Sequence, residues 1–98
     1  MAQAQNQNQV VVKLPFRSTD MGAYTECRVY DNTGTRIEPT DIERSKSGKH
    51  GYDIYVLDKS KTYSVKCVDI SNSGKKTVRI GEIVNGELKW NYIGPLYG

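Results

Sequence analysis

Residues 23–31 read AYTECRVYD, and their alternation decides the fold class. Ala23, Thr25, Cys27 and Val29 fall on one face of an extended chain, and Tyr24, Glu26, Arg28 and Tyr30 on the other. Successive side chains of a strand point to opposite sides, so a period of two with one apolar face marks a half-buried β-strand. The stretch runs into DNTGTR (31–36), where Asp31, Asn32 and Gly34 cap their own backbone or tolerate positive φ.

The same reading extends along the chain. GYDIYVL (51–57) sets Tyr52, Ile54 and Val56 against Asp53, Tyr55 and Leu57. After a DKSK turn, TYSVKCVDI (62–70) places Tyr63, Val65 and Cys67 on one face. NSGK (72–75) turns the chain into KTVRIGEIV (76–84), and Asn85-Gly86 fits a two-residue type I′ hairpin, whose central positions both need positive φ. ELKWNYI (87–93) follows with Leu88, Trp90 and Tyr92 on one face, and Pro95 argues against continued pairing as a central strand. Pro39 breaks the regularity between these strands. IERSKSGKHG (42–51) is expected as a polar loop or short strand, with one helical turn at most over 38–46. Six or seven short strands with turn chemistry between them predict an all-β sandwich or small barrel. The domain is expected over 10–94, between an N-terminal arm (1–9) and a short tail (95–98).

Size and composition fit one such domain. A chain of 98 residues buries about two-thirds of its unfolded surface, enough for a modest core. Seven Tyr against one Phe and one Trp favour thin, half-exposed layers in which rings pack inward and hydroxyls stay wet. The formal charge of +3 is too slight to announce a nucleic-acid binder. The start lacks a positively charged n-region, and Val10–Val12 with Leu14 is too short for a signal core or a spanning helix. The chain is therefore expected to be soluble, in the host cytoplasm or in a virion assembled there.

RVYDNTGTRI (28–37), GYDIYVLD (51–58) and TYSVKCVD (62–69) together resemble the carboxypeptidase regulatory-like, or transthyretin-like, immunoglobulin-type sandwich. The resemblance covers roughly residues 26–84 and is carried by short structural motifs: a strand entering an Asp-x-x-Gly turn, a Gly-Tyr-x-Ile strand, and Tyr-x-Val opening the next. It implies that Tyr52, Ile54, Tyr63 and Val65 form the layer between two sheets. It also implies an accessory or adhesive module without catalytic residues.

The residues themselves show no chemistry. His50 is the only histidine and has no Cys-x-x-Cys or second histidine nearby, so no metal, cofactor or nucleophilic site is expected. The carboxylates are scattered, and neither GxGxxG nor GxxxxGK[ST] occurs. Cys27 and Cys67 both lie on the apolar phase of their strands; the missing export signal favours two buried thiols over a disulfide joining two sheets. Basic residues gather as Arg44, Lys46 and Lys49, as Lys59 and Lys61, and as Lys75, Lys76 and Arg79. With Tyr24, Tyr30 and Tyr55 they would make a small OB-like single-strand-binding surface, against the simpler reading of edge lysines that discourage sheet association.

The opening MAQAQNQNQ carries no side-chain charge and little apolar bulk, so it cannot fold alone. Either it is slack or another chain holds it, most simply as an added strand. A compact β-domain with such an arm is similar, in size and organisation, to the small decoration or auxiliary capsid proteins of tailed bacteriophages. The expected role is thus non-enzymatic docking onto a larger protein assembly or a homo-oligomer, with no membrane partner. Gln3, Gln5, Gln7, Gln9 and Val10, Val11 and Val12 are the expected docking residues, with Ile93, Leu96 and Tyr97 as a second apolar contact. The alternatives are an immunoglobulin-like module binding carbohydrate or protein, and the OB-like protein above.

Overall fold

The computed structural model describes residues 8–95. Its strands are β1 (Gln9–Ser18), β2 (Tyr24–Tyr30), β3 (Arg36–Ile37), β4 (Asp41–Arg44), β5 (His50–Asp58), β6 (Tyr63–Ile70), β7 (Lys76–Val84) and β8 (Glu87–Pro95). Every pairing is antiparallel, in the order β4-β5-β1-β2-β6-β7-β8, with β3 beside β2. The all-β expectation holds, and hydrogen bonding joins the strands into one sheet. Residues 41–44, allowed a helical turn by sequence, form an edge strand against β5.

One strand belongs to both halves of this sheet. β1 pairs with β5 along its length, from Gln9 opposite Asp58 to Arg17 opposite His50. With β2 it pairs only at Arg17–Thr25 and Ser18–Tyr24. Below those two pairs β1 leaves β2, and the wings β4-β5-β1 and β2-β6-β7-β8 contribute to a common core. Val12, Leu14, Tyr55 and Leu57 from the first pack with Cys27, Val29, Tyr63, Val65, Cys67 and Ile83 from the second. Val10, Ile37, Leu88 and Trp90 lie around this cluster. The wings come close at the lower end, where a Cβ on Gly86 would stand 3.2 Å from the Val10 methyl carbons. Asn85 (φ 53°) and Gly86 (φ 79°) form the expected type I′ turn there.

The remaining hairpins reuse one turn. In TDMGA (19–23), DNTGT (31–35) and SNSGK (71–75), the first N–H donates to the fifth carbonyl and the fourth N–H donates back to the first. SKSGK (45–49) differs only in that Ser45 N–H reaches the carbonyl of His50. The fourth residue is glycine each time, with φ between 74° and 91°, the conformation a type I turn needs before it rejoins the ladder. Asp31 Oδ1 also accepts the N–H groups of Thr33 (2.8 Å) and Thr35 (3.0 Å). Hydrogen bonds from Thr33 and Thr35 to the charged form hold the Asp31 carboxyl below its ordinary value.

Three expectations on face and pairing are corrected. The resemblance implies a place for Tyr52 in the layer between sheets, but Tyr52 is 49% exposed, and Tyr55 and Leu57 take the core side of β5. Both phases of GYDIYVL are apolar and Ile54 is buried as well, on the face it shares with Lys13, so alternation alone could not choose. Tyr55, assigned to an exposed basic face, is 2% exposed, and burial pushes its phenol up to about 12. Tyr92 does not share the face of Leu88 and Trp90: a register shift between Ile80 and Gly81 turns it outward.

The cysteines are bonded to each other. Cys27 stands directly opposite Cys67 on β2 and β6, with Cα atoms 4.0 Å apart, so the bridge staples neighbouring strands instead of two sheets or leaving two thiols. Directly opposed residues share a face, which brings the two sulfurs together once the register is set. In the chain-entropy picture, closing a loop with a sequence separation of 40 stabilises the fold by about 4 kcal/mol. Thiol titration in denaturant without reductant is expected to find no reactive thiol in the isolated protein. Two reactive thiols would contradict the bridge.

Candidate binding surface

The register of six strands lines up one row of side chains at the upper end of the sheet. His50 on β5 is opposite Arg17 on β1, and Arg17 is opposite Thr25 on β2. Thr25 is opposite Asp69 on β6, Asp69 opposite Thr77 on β7, and Thr77 opposite Pro95 on β8. Paired residues share a face, so the row is continuous across the seam between the wings. The same end carries the turns 19–23, 45–49 and 71–75, because antiparallel connection sends alternate turns to alternate ends.

Asp69 organises the centre of the row. Its carboxylate accepts the Thr25 hydroxyl (2.9 Å) and two Arg79 donors, Nε at 3.0 Å and Nη2 at 3.3 Å. The Arg79 guanidinium lies 5.0 Å from the Trp90 ring centroid, so an aromatic covers one of its faces while its edge donates to Asp69. Arg44 lies over Phe16 in the same way, at 5.5 Å. Lys49 donates to Asp20 (2.5 Å), and Ser18 N–H donates to the Lys49 carbonyl (2.7 Å), tying the 19–23 and 45–49 turns together.

Two adjoining depressions follow the row. One, of about 260 Å³, is lined by Phe16, Arg17, His50, Tyr52 and Arg79 among others; the second, of about 450 Å³, reaches Ser71, Asn72 and Lys75. They share Arg17, Thr25 and Asp69. Neither has the arrangement of nucleophile, base and orienting group that acyl transfer uses. Among the described residues, no group of three or more His, Cys, Asp or Glu could hold a metal ion. Cations, hydroxyls and one exposed tyrosine suit the row to holding a ligand by charge, hydrogen bonds and ring contact.

The expected docking residues fall elsewhere and do not converge. Gln3, Gln5, Gln7, Leu96 and Tyr97 lie outside the described residues. Gln9, Val10, Val11 and Val12 are part of β1 and are paired with β5; Val12 is buried and Val10 packs against the core. Ile93 is opposite Arg79 and 65% exposed, near the other end of the sheet from Val10. Of the basic groups read from sequence, Arg44, Lys46 and Lys49 join Lys75, Lys76 and Arg79 at the upper end, while Lys59 and Lys61 stand at the lower. Arg17, Thr25 and Asp69 were not singled out from sequence. Their only signal is the cross-strand register, which no local pattern carries.

The Asp69→Asn variant keeps the acceptor for Thr25 but leaves the Arg79 charge without its anion. Its urea midpoint is expected to fall by the equivalent of about 1 kcal/mol at unchanged slope, a partly exposed pair being worth no more than that. An unchanged midpoint would mean that Asp69 does not organise the row. Comparisons with protein-family models, curated proteins and solved structures give no match to this chain.

Proposed function

We propose that this chain is a non-enzymatic structural protein that docks onto a larger protein assembly, as a capsid decoration protein does, with its N-terminal arm as the tether. The supporting observation is how the start of β1 is held. The Asn8 carbonyl accepts the Lys59 N–H at 2.7 Å, and Gln9 is already in register with Asp58. Any segment before Asn8 is thus attached at a fixed point on the rim of the sheet, beside the turn after β5. A tether held so firmly at its base loses little further entropy there when its outer part pairs with a partner. Many copies on a repeating lattice would add their modest interfaces. The buried Cys27–Cys67 disulfide is compatible with work outside a reducing cytosol, as on the exterior of a particle.

A second reading, an adhesive or carbohydrate-binding module, is favoured by the outer face of β2-β6-β7-β8. Tyr24, Ile80 and Tyr92 share that face by register and are 36%, 43% and 39% exposed. Sucrose-gradient sedimentation from the cells of origin separates the two. The full chain is expected to travel with particles far larger than itself. A chain lacking residues 2–7 is expected to stay at the top with an unchanged melting temperature. A full chain that stays at the top, or a truncated one that co-sediments equally, would overturn docking through the arm.

A further inference from the structure

We infer that the upper end of the sheet is a binding surface for single-stranded nucleic acid, separate from the docking proposed above. Charge placement is the first argument. Arg17, Arg44, Lys46, Lys75 and Lys76 are exposed there and make no ion pair among the described residues. Of the acids nearby, Asp20 is engaged by Lys49 at 2.5 Å, Asp69 by Arg79 at 3.0 Å and Glu43 by Lys13 at 2.7 Å, while the half-buried Asp53 feels the charge of Arg44. The opposite end is mixed, with Asp31, Asp58 and Glu87 beside Lys59 and Lys61. The overall charge of +3 averages these two ends and so conceals the positive one.

Shape and chemistry narrow the ligand. The two depressions meet at Arg17, Thr25 and Asp69 to form an open trough across the seam, which suits a strand passing through more than an enclosed small molecule. Tyr52 lines this trough beside His50 and is 49% exposed. Of Phe16 and Tyr52, which both line the trough, Phe16 already carries Arg44 over its face, so Tyr52 is the one left for a partner. Cations that take phosphates next to an exposed ring match a flexible polyanion with free π-faces. A duplex hides its base faces, and a sulfated sugar has none.

Fluorescence anisotropy with a labelled oligothymidylate tests this on the full chain. Binding is expected to weaken roughly tenfold between about 50 and 200 mM salt, as for two to three neutralised phosphates. Arg17→Glu combined with Lys75→Glu is expected to weaken it at least about tenfold further, and Tyr52→Ala by roughly fivefold or more, the loss of one stacked base. Lys59→Glu with Lys61→Glu, at the opposite end, is the folded control and should bind as the parent does. Three results would each overturn the inference. One is no binding at low salt; another is equal loss in the opposite-end variant. The third is equally tight binding of duplex or a sulfated polysaccharide with Tyr52→Ala indistinguishable from the parent.

Discussion

The structure depends on how little β1 pairs with β2. A strand hydrogen-bonded along both edges would keep the sheet open, with its buried face looking for a second layer. Here only Arg17–Thr25 and Ser18–Tyr24 connect β1 to β2, whereas the whole strand connects to β5. The chain below that corner is free to bring Val12 and Leu14 into one buried cluster with Cys27, Cys67 and Val65. A single sheet from a chain of 98 residues can then supply both sides of its own core. Fully burying each such side chain stabilises by about 1.5–3 kcal/mol, which is what the fold gains by turning the corner.

The same corner creates the candidate surface. The Arg17–Thr25 pair places Arg17 on the side of Thr25 and His50, while Val12 and Leu14 lie on the other phase of β1. Arg17 therefore stands at the seam, and residues from both wings reach one trough. Three turns of a single construction frame it, each fixed by its own main-chain hydrogen bonds. Such turns hold polar residues at the rim of a rigid scaffold, the usual place for recognition.

Much of the fold was legible because alternation is local. The phases of AYTECRVYD and TYSVKCVDI gave the buried Cys27, Val29, Tyr63, Val65 and Cys67, and Asn85-Gly86 gave its hairpin. GYDIYVL misled because both of its phases are apolar and both hold a buried residue, Ile54 on one and Tyr55 on the other. ELKWNYI misled because a bulge opposite Ile80 and Gly81 inserts a residue that periodicity cannot anticipate. The recurrence of a polar first residue and a glycine fourth in TDMGA, DNTGT, SKSGK and SNSGK was present in the sequence and marks four of the hairpins. The disulfide and the His50-Arg17-Thr25-Asp69 row were not legible, since both arise from register between strands distant in sequence.

The corner at β1 is tested most directly by cross-strand nuclear Overhauser effects in the labelled protein. Arg17 should show backbone contacts to both His50 and Thr25, and the Val10 methyls should contact Gly86, while Val12 contacts Tyr55 and no residue of β2 through the backbone. Backbone contacts between β2 and the Val10–Leu14 part of β1, with none from Val10 to Gly86, would mean an open sheet, and would contradict the shared core and the trough together.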